Sequence, residues 1–440
     1  MRLFTSLAAA LSLAALSVPA DARLSSADTR MIQIVDAEQE RTLQMLEKWV
    51  NQNSGSLNID GVTKVGEMLR AELESLGFKV QWVDMRETGR AGHIIATHKG
   101  NGRGKKLLLI GHLDTVFELD SPFQRWERKG NEAYGPGSGD DKGGMAVMIA
   151  ALRAMKAAGT LKNADIEVVL TGDEEDNGNP IEIARRDLIA AGKRADAALD
   201  FEGLSQENGP NGLRDMGSIA RRSSGGWTLT VTAKPGHSSG IFTASAGNGA
   251  IYEAARIIDT FRRELPEDKL TFNVGLIGGG QSSELDAGKI RIAATGKTNI
   301  IPAVTVARGD LRALTPEQIA RVKAKMQAIV AQPLAGATAK IEFDPDEYPP
   351  MAPTEGNRAL LAKLNGVNRD MGLEAMGELD PMKRGAGDIS FVAQDVDGLI
   401  GLGPASDGDH APGEHVDIAS IWRQAKRAAI LMSRLTVEKR

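Results

Sequence analysis

Lys105-Lys106-Leu107-Leu108-Leu109-Ile110-Gly111-His112-Leu113-Asp114 sets the frame for the whole chain. A short, uninterrupted apolar run behind two lysines reads as a strand buried on both faces, the kind found in parallel sheets. It ends in a histidine and an aspartate, which a period of two places on the same face. One of the pair can bind a metal while the other orients it. A hydrogen-bonded histidine closing a strand accounts for the tripeptide equally well. Upstream, Val62, Val65, Met68, Leu69, Leu73 and Leu76 recur at helical spacing and Gly77 serves as C-cap; residues 78–83 then read as a strand. Helices therefore alternate with strands, and residues 24–54 add further amphipathic helix.

The same grammar repeats downstream. Gly135-Pro136-Gly137-Ser138-Gly139-Asp140-Asp141-Lys142-Gly143-Gly144 is a glycine-rich loop opening a helix over 145–152. A phosphate loop would follow its lysine with Ser or Thr, and here Gly143 follows Lys142. The two aspartates suit a cation, or simple helix capping. Residues 165–170 form a second apolar strand that runs into Asp173-Glu174-Glu175-Asp176, four acids that repel one another unless solvated or held by a positive charge. A turn there would let one glutamate bind metal and the other shuttle protons. A third strand over 195–203 offers Asp200 and Glu202 on one face, and either is a candidate ligand. Finally, residues 401–415 form an irregular loop carrying His410 and His415, two of the six histidines. Loops with such residues tend to carry function.

These boxes together resemble the di-zinc aminoacylase and glutamate carboxypeptidase family of metallopeptidases, whose relatives include succinyl-diaminopimelate desuccinylase and acetylornithine deacetylase. The likeness rests on Gly111-His112-Leu113-Asp114-Thr115, Asp140-Asp141-Lys142-Gly143-Gly144, Glu174-Glu175, Phe201-Glu202 and His410 followed by Glu414, in that order along nearly all of the chain after its first 22 residues. The resemblance implies two Zn2+ per chain, with Co2+ or Mn2+ as alternatives. Asp140 would bridge them, His112 and Glu202 completing one site and Glu175 and His410 the other. Glu202 is preferred over Asp200 from the Phe201-Glu202-Gly203 match. It further implies Asp114 as the orienting acid, Glu174 as general base, a cis peptide between Asp140 and Asp141, and hydrolysis by a hydroxide bridging the metals. One departure stands out. Many relatives have Gly-x-Ser-Asp where this chain reads Gly385-Ala386-Gly387-Asp388, so a serine hydroxyl near the substrate is missing.

A length of 440 residues exceeds one typical core. Four expected ligands precede residue 203 and the fifth is at 410, so the metal-holding domain must be interrupted. The expected fold is α/β: a catalytic domain with a mostly parallel sheet between helices (23–217 and 346–440), interrupted by a smaller α+β, ferredoxin-like dimerisation domain (218–345). The insertion begins near Arg221-Arg222-Ser223-Ser224 and ends in the breaker-rich stretch 344–353. Within it, the resemblance implies that His237 reaches the active site of the partner in a homodimer, and that Asn299 and Arg312 contact substrate. Arg312 fits a bidentate carboxylate clamp or a strand salt bridge.

Residues 1–22 read as a secretory leader cut after Ala22, and no later stretch is apolar enough to span a membrane. Together with the compact leader, this points to a bacterial periplasm. Cysteine is absent, which excludes disulfides and thiol catalysis. A net charge of −5 without a basic stripe, and only 4% aromatics, argue against nucleic acid as a partner. The expected function is a secreted zinc metallopeptidase of carboxypeptidase type acting on small peptides. The alternative is a deacylase of N-acyl amino acids with the same site; a non-catalytic binding homologue is disfavoured because Glu174 is retained.

Overall fold

The computed structural model describes residues 24–210 and 212–440, so the leader read in residues 1–22 lies outside it. In chain order come α1 (Ser26–Ala37), α2 (Gln39–Val50), α3 (Ile59–Leu76), β1 (Lys79–Asp84), β2 (Gly92–His98), β3 (Lys106–His112), α4 (Lys142–Ala157), β4 (Asp165–Thr171) and β5 (Ala197–Asp200). The insertion contributes β6 (Gly225–Ala233), α5 (Gly249–Glu264), β7 (Thr271–Gly280), β8 (Val304–Arg312), α6 (Pro316–Val330) and β9 (Ala337–Phe343). The chain then returns with α7 (Glu355–Asp370), β10 (Gly398–Leu399) and α8 (Ile418–Leu435).

The larger sheet has the order β1-β2-β4-β3-β5-β10. Its last three pairings are parallel and its first two antiparallel. β3 runs through the middle, and its alternate side chains feed two cores. Leu107 and Leu109 join the cluster that includes Met145 and Ile149 of α4 and Ile421 and Ala425 of α8. Leu108 and Ile110 join Val169, Ala198, Met351 and Ile389 on the other side. Burial on both faces is why the strand reads as an unbroken apolar run, and each such side chain stabilises the fold by about 2 kcal/mol.

The insertion is a βαββαβ unit whose sheet has the order β7-β8-β6-β9, antiparallel throughout. Trp227, Leu229 and Val231 of β6 alternate inward against Phe261 of α5 and Val322 and Met326 of α6, which is the ferredoxin-like arrangement. The outgoing and returning connections lie side by side, with isolated bridges Arg221↔Met351 and Ser224↔Tyr348. Among the described residues no helix is long and apolar enough to cross a membrane.

One local expectation needs correction. β3 ends at His112 and β5 at Asp200, so neither Asp114 nor Glu202 shares a strand face with its neighbour two residues earlier. Regular pairing stops there, although single bonds continue past it, from Leu402 N–H to the Asp200 carbonyl at 3.1 Å and from Leu113 N–H to that of Thr171 at 2.7 Å. Residues 24–54 are helical as expected, in two helices that meet at Glu38, which ends α1 and precedes α2.

Candidate metal centre

The site lies past the carboxyl ends of β3, β4 and β5, where ligands collect in open α/β sheets. His112 closes β3, Glu174 and Glu175 follow β4, Asp200 ends β5, and Asp140 precedes α4. The loop after β10 brings His410, whose φ of 64° is left-handed. The Asp140–Asp141 peptide is cis.

Asp140 is central. Its Oδ1 is 2.9 Å from His112 Nε2 and its Oδ2 is 3.2 Å from His410 Nε2. His410 Nε2 is also 3.1 Å from Glu175 Oε2. Ligand atoms of His112, Asp140 and Glu175 all lie within 4.8 Å of one another. His112 Nδ1 donates to the Asp114 carbonyl at 3.1 Å, which directs the Nε2 lone pair into the cluster.

Asp114 also shapes the acidic turn. Its Oδ1 accepts the Glu174 N–H at 3.0 Å, and its Oδ2 accepts the Glu175 N–H at 3.1 Å and the Ser56 hydroxyl at 2.6 Å. Burial disfavours this charge, but His112, Ser56 and the Glu174 N–H outweigh burial and hold the carboxyl below its ordinary range. Glu414 does the same for the Asp140 loop, accepting the N–H groups of Gly139 at 2.8 Å and Asp140 at 3.1 Å.

The cluster is short of positive charge. Hydrogen bonds to Asp140 and Glu175 push His410 up to about 11. Burial, reinforced by the charges of Asp388, Glu175 and Asp140, holds Glu174 well above the usual carboxylate range. Buried Glu175 Oε1 and Asp141 Oδ1 have no hydrogen-bond partner. Carboxylates and imidazoles converging with orphaned oxygens fit a divalent cation of the zinc, cobalt or manganese type.

Beside Asp140 and His410 lies a cavity of about 220 Å³, also lined by Glu174, Glu202, Arg221, Arg384 and Asp409. The Glu202 carboxylate contacts the Arg221 guanidinium, and Glu202 is not in the tight His112–Asp140–Glu175 group. The other expected residues lie apart. His237 is exposed on the insertion, with Nδ1 2.8 Å from the Ser239 hydroxyl. Asn299 is exposed, its carbonyl accepting from Ser238 N–H at 3.0 Å. Arg312 makes the strand salt bridge, Nε to Asp310 Oδ2 at 3.2 Å.

Several residues of the site escape a reading of the sequence. Arg221 sits in a segment that reads as a domain connection, and Arg384 in one that registers only as a lost serine. Behind Glu174, Arg185 spans Asp173 at 2.6 Å and Asp388 at 2.7 Å, and Tyr348 donates to the Glu174 carbonyl at 3.0 Å.

The sequence profile of peptidase family M20/M25/M40 matches residues 108–434. Carboxypeptidase G2 of Pseudomonas sp. (strain RS-16) is 29% identical over 416 residues, covering 92% of each chain. Succinyl-diaminopimelate desuccinylase of Leptothrix cholodnii is 24% identical over 367 residues, covering 80% of this chain and 89% of that protein. Among solved structures, aminopeptidase PepT from Bacillus cereus superposes with a TM-score of 0.72 at 18% identity, covering 90% of this chain and 98% of the other. A dinuclear metal-binding peptidase from Bacillus subtilis gives 0.62 at 15%, covering 91% and 98%.

Proposed function

The chain belongs to peptidase family M20/M25/M40 and is a metal-binding hydrolase, and from that premise we propose that it is a two-zinc carboxypeptidase acting on small peptides. Asp140, His112, Glu202, Glu175 and His410 would hold the two ions, with Glu202 turning from Arg221 to do so. Bound there, the metals would supply the Lewis acidity that polarises the scissile carbonyl and acidifies the attacking water.

Glu174 takes a proton from that water as the C–O bond forms, then delivers it to the amine nitrogen as the C–N bond breaks. Asp114 keeps Glu174 and Glu175 aimed in different directions by holding their backbone N–H groups on separate oxygens. Residues 23–217 and 346–440 serve as the catalytic domain and 218–345 as the inserted domain. The latter pairs two copies, so that His237 of each reaches the other's site, with Asn299 and Arg312 at the substrate. Export to the periplasm follows from the leader composition of residues 1–22.

The observation that carries this reading is the Glu174 side chain lining one cavity with Asp140 and His410. Glu174→Ala is expected to lower kcat by roughly 100-fold or more, with zinc content measured by plasma emission unchanged. Turnover near the wild-type level would remove Glu174 from the mechanism. The desuccinylase relative supports a second reading, removal of an acyl group from an N-acyl amino acid, with the same residues in the same roles.

A further inference from the structure

The cavity beside Asp140 holds two arginines that the hydrolytic mechanism does not use. Arg221 has a side chain only 3% exposed. It contacts Glu202 and donates through Nη1 to the carbonyls of Gly385 at 3.2 Å and Ala386 at 2.5 Å. Arg384 is compensated far less. Among the described residues its hydrogen bond runs from Nη2 to the Gly203 carbonyl at 2.6 Å, and the Glu202 carboxylate lies 3.9 Å from the same nitrogen. Its Nε is buried without an acceptor, as is that of Arg221. Carboxylates surround this guanidinium, but its hydrogen-bonding capacity is largely unused, and a further acceptor in the cavity would complete its shell.

Gly387 explains how the guanidinium fits. A Cβ at that position would lie 2.5 Å from Arg221 Nη1 and 2.7 Å from Glu202 Oε1. A side chain there would displace the Arg221 guanidinium, so Gly387 leaves it room beside the cavity.

Resting on the hydrolase reading above, we propose that Arg384, backed by Arg221, forms an anion subsite that receives a carboxylate on the substrate's acyl arm or side chain. A guanidinium fork matches a carboxylate geometrically. Asp140, Glu174 and Asp409 line the same cavity, so a singly charged carboxylate is favoured over a dianion such as phosphate.

The test uses zinc-loaded protein and two matched pairs: benzoyl-glycyl-glutamate against benzoyl-glycyl-glutamine, and succinyl-alanine against succinamoyl-alanine. Wild type is expected to prefer the acidic member of at least one pair by roughly tenfold or more in kcat/KM. Arg384→Met should bring that ratio towards one, mainly through KM, and Arg384→Lys should retain part of it. Equal loss on both members, or no acidic preference in wild type, overturns the subsite. Calorimetric binding of glutarate, which needs no turnover, is expected to weaken roughly tenfold in Arg384→Met. Arg384-dependent glutarate binding with no substrate of the panel hydrolysed would keep the subsite and overturn the hydrolase reading. Hydrolysis with neither preference nor glutarate binding dependent on Arg384 overturns the subsite alone.

Discussion

Asp114 is the residue whose removal separates geometry from ligation most cleanly, because it touches a histidine and an acidic turn but presents no free oxygen to the cluster. One carboxylate oxygen holds Glu174 N–H and the other holds Glu175 N–H and Ser56 Oγ. In Asp114→Asn an amide NH2 must face one of those N–H groups, so the turn loosens. Activity is expected to fall by about 10- to 100-fold, and the unpaired N–H in a buried turn should lower the thermal midpoint as well, measured by steady-state kinetics and calorimetry on one preparation. Much of this site is legible residue by residue. His112, Asp140, Glu175 and His410 each stand where an apolar run or a glycine-rich loop leaves them no core role, and the structure brings them together. Arg221 and Arg384 are not legible, because their importance lies in a juxtaposition across 163 residues of chain that no local pattern records (384 − 221).

At the scale of elements, helix limits follow from periodicity and caps, as in α3, which Asn58 caps at its N-terminus and Gly77 closes with φ 100°. What periodicity does not give is sheet order. β2 pairs antiparallel with β4, and nothing in either sequence favours that over a parallel edge. Ion pairs between elements are equally silent. Asp215, on the strand Gly212–Gly217, accepts from Arg427 of α8 at 2.6 Å and Arg423 at 3.0 Å. Burial pushes its carboxyl up, but Arg427, Gln206 and Arg423 outweigh burial and hold it below the ordinary range. A depressed folded-state pKa means that the stabilisation is fully present above the unfolded value of about 4 and fades as pH falls through the folded value. Asp215→Asn is therefore expected to lower stability by about 3 kcal/mol at pH 7, as read by urea unfolding, and the gap to wild type should close in strong acid.

The whole molecule joins an α/β frame, which gathers the candidate metal ligands at its strand ends, to an inserted βαββαβ unit reached through two paired connections. Tyr348, on the returning connection, donates to the Glu174 carbonyl and accepts from Arg185, so the join between the two parts touches the backbone of the proposed base. The insertion is legible from the spacing of the ligands, since four lie before residue 203 and one at 410. Its placement is not, because a breaker-rich linker says nothing about which carbonyl a tyrosine will meet.

The measurement that tests the central claim most directly is hydrolysis of a panel of dipeptides and N-acyl amino acids by residues 23–440, before and after chelation and zinc restoration. Release of a free amino acid that stops with chelator and returns with zinc is the expected result. Turnover indifferent to the chelator, or none with two metal equivalents bound, would contradict the account.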